Sequence, residues 1–293
     1  MKAYLWLLAV GAGLSHAIAL AQTPTQTQAQ TQAQTQPSAR PIEEVPFVVT
    51  PPRVVERMLQ MAEVGNKDLV YDLGSGDGRI VLAAARRGAK ALGVEIDPTL
   101  VQQSQANAKA ERLEHLASFA VQDLFDTDFK NASVVTMYLL PEFNLKLKPL
   151  LLAQLRPGSR VVSHDWDMGD WPADETLQLR APEKPLGSAG AHQVLLWVIP
   201  ARLAGRWQVQ LEEAGEAVVF HIEQKYQSLS IKPSRGQVRM ASLRGRQVIL
   251  HWHDGERTHR LQGTVSEDGQ HIKGSAGSLN QEQGKRAWWA VRK

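Results

Sequence analysis

The 293-residue chain contains no cysteine, which excludes a disulfide framework, a thiolate zinc centre, a cysteine nucleophile and a lipid-bearing N-terminal cysteine. It also has little net charge, +3 from 33 Lys and Arg against 30 Asp and Glu. The basic excess sits in the tail, 15 to 9 from Ala201 onward, without a clustered stripe, so it reads as a solvated surface and no nucleic-acid partner is expected. From Gln22 to Pro41 bulky apolar residues are missing, and an almost unbroken Gln/Thr/Ala/Pro alternation leaves nothing to offset ordering entropy. At 43% hydrophobic residues the rest is long enough for one α/β domain and a smaller companion.

Before that linker, Lys2 precedes an apolar run from Ala3 to Leu14, and Ala19-Leu20-Ala21 offers the small residues of a cleavage site ahead of Gln22. Residues 1–21 are therefore expected to be a secretory signal, 22–41 a disordered linker, and the mature chain periplasmic or secreted with no stable membrane span. The alternatives are an uncleaved anchor, if Ser15 and His16 are tolerated in a longer apolar stretch, and a cytoplasmic protein with a misassigned start.

Between residues 42 and 200 short apolar runs alternate with helical patterns. Leu69–Leu73, Ala91–Glu95, Ser118–Val121, Ser133–Tyr138 and Arg160–Ser163 read as strands, with helices at 54–62, 80–87, 98–113 and 142–155. Two further strands, Thr176–Arg180 and Gln193–Ile199, are expected around a Pro/Gly-rich loop. This order predicts an α/β fold, a Rossmann-like doubly wound, seven-stranded and mostly parallel sheet. From 201 to 293, strand-like stretches anchored by Trp207, Trp252, Trp288 and Trp289 predict a small all-β sandwich or barrel.

The sharpest local pattern is Asp72-Leu-Gly74-Ser75-Gly76-Asp77-Gly78-Arg79 after the first strand. Glycines there let the backbone turn and approach a ligand before the next helix. A carboxylate at Asp72 would repel a pyrophosphate but suits the cationic methionyl end of S-adenosylmethionine (SAM). Glu95, ending the second strand, is placed to accept ribose hydroxyls, whereas Asp97 before Pro98 reads as a helix cap. Asp123, after the third strand, is a candidate acceptor for an adenine amino group.

These motifs resemble class I SAM-dependent methyltransferases, in particular the Rossmann-type lysine methyltransferases of the ATP synthase c-subunit group and, more distantly, the non-SET nucleosomal enzymes. The likeness rests on Phe47–Pro51, Asp72–Arg79, and Tyr138-Leu-Leu-Pro141 followed by Arg160-Val-Val-Ser-His-Asp165. It implies SAM contacts from Thr50, Asp72, Gly74, Ser75, Gly76, Glu95 and Asp123, and a methyl acceptor that is a protein lysine. The Asn/Asp-Pro-Pro-Tyr sequence of adenine and glutamine methylases is absent. Tyr138, His164 and Asp165 are the candidate catalytic residues: the acid and the imidazole to orient or deprotonate a nucleophile, the phenol to line the opening or pack under the next helix. Trp166 and Trp171 are candidate walls for a cationic amine. Cation ligation by His164, Asp165, Asp167 and Asp170 is not expected, nor a zinc site from His251, His253 and His259. The competing function is a non-catalytic exported envelope protein that uses the fold as a ligand-binding or interaction module. It leaves the cofactor acids without a use, while the enzyme reading must account for SAM outside the cytoplasm.

Overall fold

The computed structural model describes residues 48–181, 190–212, 216–278 and 281–293, the backbone alone at 281–285. The expected signal, the linker, Phe47 and the loop between the last two predicted strands of the α/β part lie outside these residues. Among the described residues no helix is long and apolar enough to cross a membrane.

After helix α1 (Pro52–Met61) come β1 (Leu69–Leu73), α2 (Arg79–Arg86), β2 (Lys90–Glu95), α3 (Pro98–Ala110), β3 (Ala117–Val121), β4 (Val134–Met137), α4 (Pro141–Gln154), β5 (Arg160–His164), β6 (Glu175–Arg180) and β7 (Ala191–Val198). They form a seven-stranded sheet in the order β3-β2-β1-β4-β5-β7-β6. The first five strands pair in parallel and β7 runs antiparallel to both neighbours. Strand side chains alternate between faces, and the core follows that alternation. Val70, Val134, Val162, Val194 and Leu196 pack under α1, α2 and α3. Val135, Met137, Val161, Leu195 and Trp197 meet Leu147 and Leu151 of α4 on the other face. The predicted doubly wound sheet is the one observed, and its carboxyl edge, where α/β folds bind ligands, carries every residue of the acidic motifs.

The remaining eight strands are β8 (Gly205–Leu211), β9 (Val218–Lys225), β10 (Ser228–Pro233), β11 (Gln237–Arg244), β12 (Gln247–His253), β13 (Thr258–Val265), β14 (His271–Ser278) and β15 (Gln281–Arg292). Each pairs antiparallel with its sequence neighbour, except that β10 and β11 lie side by side without ladder hydrogen bonds, and β15 returns to pair with β8. The result is an up-and-down barrel with one open seam. Eight strands leave an interior that side chains fill: Trp207, Phe220, Leu250, Trp252, Leu261 and Trp288 among them are buried. Trp288 needs special room. Its indole donates to the Gln262 carbonyl at 3.0 Å, and a Cβ on Gly263 would stand 2.7 Å from its ring.

Gly274, paired with Gly263 across β13 and β14, is tighter still, since a Cβ there would overlap the Gln262 backbone carbonyl. Gly274→Ala must push the two strands apart, and a loss of about 2–4 kcal/mol is expected in denaturant unfolding of the barrel. An unchanged unfolding midpoint would contradict the close approach.

Candidate active site

The turn after β1 is built by three glycines with positive φ, Gly74 at 73°, Gly76 at 53° and Gly78 at 79°. At Gly74 a side chain is excluded twice over, by that φ and by Leu139 Cδ2, which a Cβ would meet at 2.8 Å. The Gly74 and Ser75 amides donate to the Val94 carbonyl at 2.8 and 3.0 Å, and the Gly76 amide donates to Glu95 Oε2 at 2.9 Å. Glu95 Oε1 accepts from the Ile96 and Asp97 amides at 2.8 and 3.1 Å. Three backbone donors thus fix this carboxylate at the lip of the turn. Asp97 caps α3, accepting from the Thr99 amide at 2.7 Å, as its position before Pro98 predicts.

Asp72 is buried at the end of β1 and accepts from the Thr136 hydroxyl at 2.7 Å. Burial raises its carboxyl to about 7 against the pull of that hydroxyl, with the Glu95 and Asp77 carboxylates adding to the rise. Asp123 accepts from the Phe125 amide through Oδ1 at 2.8 Å, leaving Oδ2 as the oxygen an adenine amino group would find. Beside these acids stand two apolar side chains that the fold leaves in solvent, Ile96 at 45% and Val121 at 56% exposed. Ile96 follows Glu95 directly, and Val121 is the register partner of Glu95. Exposed apolar walls flanking two carboxylates fit a nucleoside, with its ring between the walls and its hydroxyl and amino donors on the acids. Ser75 Oγ is buried with no protein partner, a further polar group for a bound molecule. The residues present therefore fit SAM: Asp72 would take its ammonium end and Glu95 its ribose hydroxyls.

A second cluster borders this cleft at the ends of β4 and β5. Tyr138 packs against His164 with ring centroids 3.9 Å apart and planes tilted by 35°, and its hydroxyl donates to Asp165 Oδ2, 3.4 Å away. Burial, with the facing Asp165 carboxylate, raises the phenol to about 12, so Tyr138 stays protonated. His164 is fully buried. Its Nδ1 lies 3.2 Å from Thr50 Oγ1 and its Nε2 2.8 Å from His192 Nδ1, which removes it from direct contact with a substrate and leaves it behind Tyr138 and Asp165. Asp165 holds φ at 66°, a costly conformation for a non-glycine residue and one concentrated at functional sites. It is pinned there by reciprocal bonds with the Gln193 backbone at 2.7 and 2.9 Å.

Thr50 turns its hydroxyl to His164, while its carbonyl is held by Arg79 at 2.9 Å. One ligand-type atom from each of His164, Asp165 and His192 falls within 4.8 Å of the others, and the two imidazoles are within hydrogen-bond distance at 2.8 Å. Asp167 and Asp170 take no part, since Asp167 accepts from the Gly169 amide and Asp170 pairs with Lys148 and Lys225. The expected Trp171 wall is corrected by its burial beneath Trp197 and Tyr226, where the apolar ring is worth more than at the opening. Of the two tryptophans, only Trp166, 42% exposed, remains available to an amine. Of the three tail histidines, His259 bonds to Asp254 and His253 to Thr258.

Three residues escaped the sequence reading. Thr136 looks like an ordinary strand threonine. Asn144, buried in α4, donates to Ser163 Oγ at 3.1 Å and to the Trp166 carbonyl at 3.0 Å, and a lone amide on an apolar helix face was its signal. His192 follows a stretch without periodicity and had none.

Fold and site together define a class I SAM-dependent methyltransferase. Residues 72–175 match the family described as the ANTKMT methyltransferase domain. The chain is 42% identical over 140 residues to a protein-lysine N-methyltransferase of Saccharolobus islandicus, covering 47% of this chain and 87% of that protein. It is 36% identical over 132 residues to the lysine N-methyltransferase of the ATP synthase c-subunit from Rattus norvegicus, covering 45% of this chain and 61% of that one. Among solved structures, an RNA methyltransferase of Salinibacter ruber in complex with S-adenosyl-L-homocysteine is 48% identical, with 53% of this chain and 96% of that chain covered and a TM-score of 0.48. The chain belongs to the protein-lysine N-methyltransferase family of its archaeal relative, and SAM is its methyl donor.

The Asp72 carboxyl has a consequence for pH. It titrates near 3.8 when unfolded and near 7 when buried, so the folded protein binds the extra proton between these values and loses stability as pH rises through them. Without SAM, the melting temperature is expected to fall from pH 5 to pH 8, and Asp72→Asn to flatten that slope. Equal slopes in the two proteins would rule out the buried carboxyl as its source.

Proposed function

We propose that the chain transfers the SAM methyl group to the ε-amine of lysine in a protein acceptor, and that it does so after export. The observation that carries the acceptor class is the pairing of an anionic group with apolar walls at the transfer edge. Asp165 stands beside Tyr138 there, exposed Trp166 follows it directly, and exposed Leu145 lies against Gly169 of the same segment. The lysine methyltransferases among its relatives support the same class.

When bound, SAM supplies a methyl carbon on a sulfonium sulfur, which an amine lone pair takes in an in-line displacement that neutralises charge. The protein's work is alignment and exclusion of water. A lysine reaches the edge as an ammonium and must lose one proton before its nitrogen is nucleophilic. Asp165 attracts that ammonium, and apolar surroundings lower its pKa. The proton leaves through Asp165 to solvent, while the Thr50–His164–His192 line fixes the ring against which Tyr138 packs. Tyr138, held protonated, orients the Asp165 carboxylate and does not compete for the proton.

The export reading rests on Lys2, the apolar run and Ala19-Leu20-Ala21. Fractionation with N-terminal sequencing, followed by labelling of envelope extracts with tritiated-methyl SAM, tests both halves. Expected are a mature chain beginning at Gln22 and label recovered as methyl-lysine after acid hydrolysis of protein. A retained Met1 in the cytosol overturns export, and label confined to RNA, lipid or small molecules overturns the lysine acceptor.

A further inference from the structure

The segment that follows β5, residues 165–174, begins with Asp165 and Trp166 and is gripped from two sides. Helix α4 holds its first half. Asn144 Nδ2 donates to the Trp166 and Asp167 carbonyls at 3.0 and 3.3 Å, and Lys148 donates to the Met168 carbonyl at 3.0 Å. The barrel holds its second half through the turn between β9 and β10. The Tyr226 hydroxyl donates to Asp170 Oδ1 at 2.8 Å and Lys225 pairs with Oδ2 at 3.1 Å. Trp171 Nε1 donates to Gln227 Oε1 at 3.0 Å, and Gln227 Nε2 returns a bond to the Pro172 carbonyl at 2.7 Å. The rings of Trp171 and Tyr226 stack at 5.7 Å.

Tyr226 sits at φ 55°, a region where an aromatic residue is an outlier, and the Gln224 side chain holds its carbonyl at 2.7 Å. Such strain persists only where surrounding contacts over-determine it. The loop therefore runs from one strained residue at the transfer edge, Asp165, to contacts made by another in the barrel. The family match ends at residue 175, and the 140 residues shared with the archaeal relative make up 87% of that protein, which leaves it no room for a barrel.

We propose that the barrel is a built-in clamp on the methyl-acceptor side of the site, with Tyr226 and Gln227 as positioning residues. They hold 165–174 in place so that Asp165 and Trp166 keep their geometry while donor and acceptor are aligned. This rests on the methyltransferase reading. Displacement reactions lose rate steeply when alignment slackens, so a surface contact distant from the cofactor acids controls turnover without touching cofactor affinity.

The test uses the full chain and the variants Gln227→Ala, Tyr226→Ala, Tyr226→Phe and Asp170→Asn. Hydrogen exchange reads the loop, calorimetry reads SAM, and tritiated-methyl transfer into envelope protein extract reads turnover. Gln227→Ala and Asp170→Asn are expected to speed exchange across 165–174 about tenfold, with exchange in β1–β4 and the barrel unchanged. Turnover should fall at least about fivefold in kcat, with SAM affinity and the KM for SAM as in wild type. Tyr226→Phe, which keeps the ring stack, should retain more turnover than Tyr226→Ala. Faster loop exchange with undiminished turnover, or unchanged loop exchange, overturns the clamp. Wild-type protein that binds no SAM instead fails the methyltransferase reading on which the clamp depends, and wild-type protein that binds SAM but labels no envelope protein fails the proposed acceptor. Asp170→Asn, at a surface carboxylate, keeps the test open should Tyr226→Ala not fold.

Discussion

The bond from the Gly76 amide to the Glu95 carboxylate ties the turn after β1 to the end of β2, and the cofactor site is arranged around it. Parallel pairing of β1 with β2 and β2 with β3 brings Asp72, Glu95 and Asp123 to one edge of the sheet. Each carboxylate is met differently. Asp72 is buried against a hydroxyl, Glu95 is cradled by backbone amides, and Asp123 is half-spent on a turn. One ligand with a cation, a diol and an amino-bearing ring suits three such environments at once, which is why the set reads as a nucleoside site and not as three surface acids.

Much of this was legible in the sequence because the strands carry strong apolar runs and the glycines fall where only a sharp turn explains them. The doubly wound sheet follows from those runs alternating with helical patterns, and the N-cap at Asp97 from its place before Pro98. Side-chain partnerships across the sheet were not legible. Nothing in the sequence reveals that His192, 28 residues beyond His164, returns to it through an antiparallel strand, or that Thr136 is the donor for Asp72. Periodicity predicts which face a residue takes but not which neighbour it finds. Trp171 shows the same limit. Its neighbours suggested an amine-binding wall, yet its burial is decided by Trp197 and by a tyrosine more than fifty residues away in the barrel.

The barrel was foreseen as an all-β unit, although β10 and β14 carry weak signals. Ser228–Pro233 is half polar, and His271–Ser278 is rich in small residues, among which Gly274 faces the Gln262 carbonyl with no room for a Cβ. Local propensity is low there since tertiary packing sets the residue choice. The turn at Tyr226 and Gln227, between β9 and β10, bonds to Asp170, Trp171 and Pro172 of the segment after β5. Asp165 and the barrel turn are thus joined through the segment after β5, which both Asn144 and Gln227 hold.

Isothermal titration of SAM into wild type and Glu95→Ala tests the central claim most directly. Loss of two charge-assisted hydrogen bonds to the ribose, at about 1.5 kcal/mol each, weakens binding about a hundredfold. Equal affinity in the two proteins would contradict a nucleoside seated on the carboxylate at the end of β2.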